Sequence, residues 1–169
     1  VLFNTLIKSH NHLNELNNSP NYDIKHLPDW YSYDLDILVV EDNKLNQEVI
    51  SDVLKSVGLN VIIATNGKEA VEHVKQQKPD LVLMDVQMPV LDGIEATKQI
   101  RHFVPSEELT IIAMTANAFA EDKARCIAAG MNEHIGKPIE PNVLFTTLMQ
   151  WLPKPEQKQI HSDADENAT

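Results

Sequence analysis

The chain has 169 residues, a length that suits one domain with flanking segments. Its 14 basic and 25 acidic residues give a formal net charge of −11, which disfavours nucleic-acid binding because that binding needs a basic surface. A single cysteine, Cys126, excludes an internal disulfide, and the absence of a signal peptide or of an apolar run of roughly 18–20 residues predicts a cytoplasmic fragment without membrane contact of its own.

Residues 1–33 are predicted to form a helix followed by a linker, since residues 9–33 are rich in Asn, His, Pro and Tyr. The segment Val1–Ile7 matches residues 143–149 at five of seven positions. It is therefore interpreted either as the end of an upstream domain of the same type or as a generic amphipathic helix. Because the chain starts at Val1 rather than Met, we expect it to be a fragment of a longer protein.

The N-terminal segment also carries an apolar stripe that needs a partner surface. A free helix of that length is marginal in water, so we expect residues 1–17 to pack on their own domain or on a second copy in a weak homodimer. The stripe consists of Leu2, Phe3, Leu6, Leu13 and Leu16.

Residues 34–152 alternate strand and helix patterns, which predicts βα repeats and a parallel sheet. The first helix should begin after Asn43, a good N-cap, and end near Gly58 in a left-handed conformation. The further predicted strands are residues 60–64, 80–84, 110–114 and 133–135, and the further helices are residues 68–77, 93–103, 119–129 and a last one stopped by Pro153.

Five strands and five helices predict an α/β fold of the flavodoxin-like, doubly wound (βα)5 type, with strand order 2-1-3-4-5. The ligand site of such a sheet lies beyond the carboxyl ends of its strands, at the switch between strands one and three. The polar, acidic residues 153–169 are predicted to be a tail outside this domain.

Polar side chains follow four of the predicted strands directly. Glu41 and Asp42 follow the first strand, Asp85 the third, Thr115 the fourth and Lys137 the short fifth. The topology brings three carboxylates, a hydroxyl and an ammonium to one edge, where they can hold a hard cation and an incoming phosphoryl group.

Four motifs around these residues resemble the response-regulator receiver domain in order and spacing, over about residues 34–152. The opening Glu-Asp-Asn and the closing Lys-Pro-Ile are similar to those of receivers fused to hybrid sensor histidine kinases. The motifs are residues 39–43, 84–93, 113–118 and 137–139.

Asp85 is the candidate nucleophile, because a carboxylate can attack phosphorus to form an acyl phosphate. Lys137 can pair with Asp85 at rest and with a phosphoryl oxygen afterwards. Asp42 and Asp85 are the expected direct Mg²⁺ ligands, with Glu41 holding a metal-bound water. The resemblance implies that the backbone carbonyl of Gln87 completes the ligand set, and that the peptide bond before Pro138 is cis.

Thr115 is the expected switch hydroxyl, and the resemblance implies an aromatic partner three residues before Lys137. That position holds His134, where receivers more often carry Tyr or Phe. A switching His134 and a partly exposed ring that only packs on the sheet edge are both consistent with the sequence.

The resemblance implies a phosphorelay receiver that accepts a phosphoryl group from a histidine kinase module, then hydrolyses it or passes it to a His-containing phosphotransfer domain. The fragment would catalyse only its own phosphorylation and dephosphorylation, and the parent chain would be a hybrid histidine kinase that could be anchored in a membrane. Two alternatives are an interaction-only pseudo-receiver and an Asp-nucleophile phosphatase. The phosphatase is disfavoured because Gln87 stands where such an enzyme needs a second acid.

Overall fold

The computed structural model describes residue 30 and residues 33–117 and 119–153. The predicted helix over residues 1–17 and the acidic tail lie outside the described residues. The five strands are β1 (Asp36–Val40), β2 (Asn60–Ala64), β3 (Leu81–Asp85), β4 (Thr110–Thr115) and β5 (Glu133–Gly136).

The strands form one sheet in the order β2-β1-β3-β4-β5, and every neighbouring pair is parallel. This order confirms the predicted flavodoxin-like topology. Because the order reverses between β1 and β3, the carboxyl ends of these two strands open the crevice in which doubly wound folds bind ligands.

Within the described residues, five helices connect and follow the strands. The first begins after Asn43, whose side chain accepts hydrogen bonds from the N–H groups of Leu45 and Asn46. Beyond its last turn Gly58 adopts a φ of 88°, and the N–H of Leu59 donates to the carbonyl of Leu54, as in a Schellman motif. The helices are α1 (Lys44–Lys55), α2 (Gly67–Gln76), α3 (Gly93–Arg101), α4 (Ala120–Ala129) and α5 (Pro141–Trp151).

The sheet separates two hydrophobic clusters. One lies under α2, α3 and α4 and the other under α1 and α5, so the central strands β1 and β3 are almost wholly buried. Trp30, in the segment predicted as a linker, is 1% exposed and belongs to the second cluster. No helix within the described parts of the chain combines the length and apolarity that a membrane crossing requires.

Candidate functional site

The polar residues predicted at the strand ends meet at one edge of the sheet. Asp85 is the last residue of β3, and Thr115 is the last residue of β4, one position later than the sequence pattern placed each strand end. Glu41 and Asp42 follow β1 directly, and the N–H of Glu41 donates to the carbonyl of Ala64 in β2. The chain turn after β1 thereby brings acidic side chains over the end of β3.

Lys137 connects two of these carboxylates. Its Nζ lies 2.8 Å from Oε2 of Glu41 and 3.0 Å from Oδ2 of Asp85. Glu41 is 1% and Asp85 3% exposed, so both carboxylates are buried and one ammonium serves both. The contact with Asp85 was predicted from the sequence, whereas the contact with Glu41 was not.

The shared cation affects the two carboxylates differently. Burial raises the pKa of Asp85 above its usual value, the negative charge of Glu41 raises it further, and Lys137 offsets only part of the effect. Burial also acts on Glu41, but the hydrogen bonds from Lys137 and from the Asn43 N–H hold its pKa below the usual value. Hydrogen bonds to both carboxylates outweigh burial at Lys137 and raise its pKa. The site thus favours an ionised Glu41 and an ammonium on Lys137.

Three carboxylates are close enough to bind one cation. Oxygen atoms of Glu41, Asp42 and Asp85 all lie within 4.8 Å of one another. Asp42 is exposed, and Asp85 Oδ1 accepts a hydrogen bond from the N–H of Gln87 at 3.1 Å. Since Mg²⁺ prefers hard oxygen ligands and retains several waters, this partly open set of carboxylates fits that ion.

Thr115 lies beside the acidic group with an unused hydroxyl. Its side chain is buried, and its Oγ1 has no hydrogen-bond partner among the described residues. The backbone carbonyl of Thr115 accepts from the N–H of Lys137 at 2.7 Å, so the ends of β4 and β5 are joined directly. The peptide bond between Lys137 and Pro138 is cis, as the sequence resemblance implied.

His134 lies on β5 and pairs in register with Ala113, two residues before Thr115, so the two side chains share a face of the sheet. The ring is partly buried, and its Nδ1 lies 3.3 Å from Oε1 of Glu133. Glu133 was not singled out from the sequence, because adjacent residues on a strand normally point to opposite faces.

Two cavities flank the site and share Ala116 as a lining residue. One, of about 440 Å³, lies between the loop after β3 and the N-terminal part of α4, and Gln87, Thr115 and Arg125 contribute to its walls. The other, of about 470 Å³, lies between α1 and the turn at Pro138, with Glu41 and Lys137 at its polar end. The second cavity is mainly apolar, since its walls include Leu45, Val49, Ile50, Pro138 and Ile139.

The loop that follows Asp85 accepts backbone hydrogen bonds from two glycines that begin helices. The N–H of Gly93 donates to the carbonyl of Val86, and that of Gly67 donates to the carbonyl of Leu91. A Cβ on Gly93 would collide with the backbone carbonyl of Asp85. Val90 takes a φ of 71°, a conformation that β-branched residues rarely adopt, so the loop stores strain close to the site.

A family model for the response regulator receiver domain matches residues 37–149. The chain is 40% identical over 125 residues to hybrid signal transduction histidine kinase H of Dictyostelium discoideum, covering 71% of this chain and 9% of that protein. The curated relatives are thus much longer, and this chain corresponds to one part of them.

Two solved structures show the same fold. The receiver domain of sensor histidine kinase PA1611 from Pseudomonas aeruginosa PAO1, with a magnesium ion coordinated in its active site cleft, is 42% identical, with a TM-score of 0.65 and coverage of 70% of this chain and 97% of that one. The Saccharomyces cerevisiae complex of the histidine phosphotransfer protein Ypd1 with the receiver domain of Ssk1 gives 33% identity and a TM-score of 0.66, covering 70% of this chain and 88% of the matched one.

Proposed function

Because this chain belongs to the response regulator receiver domain family, we propose that it is the phosphoryl acceptor of a two-component phosphorelay, with Asp85 as the modified residue. The observation that carries the assignment is the position of Lys137 Nζ, which contacts the buried Asp85 beside two further carboxylates. Of the acids at this edge, Asp85 is the one that combines strand-end placement, contact with Lys137 and an adjoining cavity wall formed by Gln87 and Thr115.

In the proposed reaction, a carboxylate oxygen of Asp85 forms a bond to phosphorus. The bond between phosphorus and the donor's imidazole nitrogen breaks, and the nitrogen keeps the bonding electron pair. Lys137 stabilises the negative charge that develops on the phosphoryl oxygens, and the free Thr115 hydroxyl donates to one of them. Hydrolysis reverses the modification, with water supplying the new oxygen on phosphorus and Asp85 leaving as a carboxylate.

Mg²⁺ is the proposed cofactor of this site. Asp42 and Asp85 would ligate it directly, Glu41 through a water, and the backbone carbonyl of Gln87 would complete the protein ligands. A bound Mg²⁺ would compensate the charge of the carboxylates and that of the incoming phosphoryl group. The receiver domain of PA1611 holds a magnesium ion coordinated in its active site cleft, which supports this proposal.

The experiment is covalent labelling. The protein is incubated with acetyl phosphate and Mg²⁺, and the modified peptide is identified by mass spectrometry. We expect one phosphorylated residue, Asp85, and no labelling in an Asp85→Asn variant. Asp92→Asn is the matched control, because Asp92 is an exposed acid that caps α3 and Asn is an equally good N-cap. Equal labelling of wild type and Asp85→Asn would contradict the assignment, and no labelling of the wild type would favour an interaction-only pseudo-receiver.

A His-containing phosphotransfer protein is the proposed partner, and α1 is the proposed docking surface. Leu45 and Val49 are 68% and 50% exposed on α1 and line the apolar cavity that reaches Lys137. Val143 on α5 is 44% exposed. An apolar surface next to the reactive carboxylate fits contact with a partner protein, and the solved complex of the histidine phosphotransfer protein Ypd1 with the Ssk1 receiver domain supports a partner of that kind.

Phosphotransfer kinetics test this docking surface. Val49→Asp should slow transfer from a phosphorylated histidine phosphotransfer protein such as Ypd1 by about 10-fold or more, because it places a charge in an apolar contact. Labelling by acetyl phosphate should stay unchanged, since that donor needs no docking. The control is Ile127→Asp, which alters a similarly exposed apolar residue on α4. Equal slowing by both substitutions would contradict a specific contact at α1.

A further inference from the structure

Trp30 is the largest fully buried side chain of the described structure. It lies seven residues before the part of the chain that matches the family model, which starts at residue 37. It is nevertheless 1% exposed and belongs to the cluster under α1 and α5. Burying an aromatic side chain of this size is a substantial stabilising contribution, so its position needs an explanation beyond a passive linker.

Residues 33–35, directly before β1, are also fixed. The N–H of Tyr33 donates to the carbonyl of Trp30 at 3.1 Å. Asp34 has a φ of 49°, and its side chain accepts a hydrogen bond from the Asn60 side-chain amide at 2.7 Å. Leu35 is fully buried, and its carbonyl accepts from the N–H of Asn60. The described residues upstream of β1 are thus held by side-chain and backbone contacts.

The last helix reaches the same cluster. Leu152, just after α5, is buried in it, and Trp151 packs against it. The segment before β1 lies at the amino ends of the strands, since the Leu35 carbonyl accepts from the N–H of Asn60, the first residue of β2. Trp30, ahead of β1, and Leu152, after α5, therefore belong to the same apolar cluster.

We infer that Trp30 is an anchor of the receiver, which clamps the segment before β1 against the ends of α1 and α5 and fixes the point at which residues 1–29 join the domain. This inference does not depend on phosphorylation of Asp85. Its consequence is that the domain extends upstream to residue 30, and that the segment free to act as a linker is shorter than the sequence pattern indicates.

Fluorescence quenching of the full chain tests the anchor, because Trp30 and Trp151 are its two tryptophans. In a Trp151→Phe variant the emission comes from Trp30 alone. We expect its quenching by acrylamide to be at least several-fold weaker in the folded protein than in urea. Equal quenching in both states would overturn the inference, whatever the outcome of phosphorylation assays.

Amide hydrogen exchange tests whether the anchor holds both ends together. A Trp30→Ala variant should accelerate exchange at residues 33–35 and at the end of α5 by 10-fold or more. Phe103→Ala is the control, since Phe103 is 41% exposed outside this cluster, and it should leave these sites unchanged. Unchanged exchange in Trp30→Ala would also contradict the clamp. If Trp30→Ala does not fold, the Trp151→Phe quenching result decides.

Discussion

One ammonium cannot fully neutralise the negative charges of two buried carboxylates. Glu41 receives hydrogen bonds from Lys137 and from a backbone N–H, and its pKa is lowered. The negative charge of Asp85 is less well stabilised, since burial and the charge of Glu41 raise the pKa of Asp85. The residue proposed to react is therefore the less well stabilised anion of the pair, a pattern that recurs at functional sites.

We predict that Asp85→Asn stabilises the protein in metal-free buffer at pH 7. A raised folded-state pKa means that ionised Asp85 costs stability at pH values above that pKa. Removing the charge should raise the melting temperature by about 2–4 °C, the shift that roughly 1 kcal/mol produces in a chain of this size. The advantage should disappear as the pH falls below the unfolded value of 3.8, where the carboxyl is neutral in both states.

Calorimetry between pH 3.5 and 7 would measure this dependence, with Asp92→Asn as the control that changes an exposed acid. Saturating Mg²⁺ should reduce the difference, because the cation would compensate the Asp85 charge. A lower melting temperature for Asp85→Asn at pH 7 without metal would contradict the argument.

The junction of β3 with α3 is set by the contact of Gly93 with the carbonyl of Asp85. Gly93 is the first residue of α3, where alanine would ordinarily be the better helix former by about 1 kcal/mol. At this position, however, a Cβ would meet backbone that cannot move without displacing Asp85. Because α3 lies so close to the end of β3, position 93 favours glycine over alanine.

We predict that Gly93→Ala destabilises the domain by about 1–3 kcal/mol, the usual cost of overpacking, despite the better helix propensity of alanine. Gly136→Ala should change stability by less than about 0.5 kcal/mol, because the space around Gly136 is open. Urea unfolding of both variants measures the difference. Equal midpoints for Gly93→Ala and wild type would show that the loop adapts and that the contact does not fix the geometry.

The whole domain can respond to phosphorylation if a change at Thr115 reaches the edge strand β5. Thr115 and His134 share one face of the sheet, but the His134 ring is held by Glu133 in the described state. A phosphoryl group that takes the Thr115 hydroxyl would act as any ligand does, by stabilising one of two conformations.

We predict that beryllofluoride, a phosphoryl mimic, shifts amide resonances most strongly across residues 113–137. The shift should reach Glu133 and His134, because rotation of the ring breaks their contact. Spectra of wild type and of His134→Ala, recorded with and without the mimic, test this. Changes confined to the loops at Asp42 and Gln87 would mean that His134 only packs on the sheet edge.

Much of the architecture was predictable because it depends on local patterns. Strand and helix periodicity defined the βα repeats, and the polar residues at or just beyond the ends of β1, β3, β4 and β5 located the site. The second partner of Lys137 was not predictable, because Glu41 lies 96 positions away and the contact depends on side-chain geometry. The burial of Trp30 was missed for a related reason, since the cluster that surrounds it is assembled from segments spread along the chain, as far as Leu152.

The entry of the chain into β1 at the amino ends of the strands has a consequence for larger assemblies. Segments joined upstream reach the domain at the amino ends of the strands, where the Leu35 carbonyl accepts from Asn60, whereas Asp85 lies at the carboxyl end of β3. Several such domains could follow one another in one polypeptide, each with its acidic edge accessible to diffusing partners. In that arrangement, access to Asp85 would depend on the surface around it and not on the segments that connect the domains.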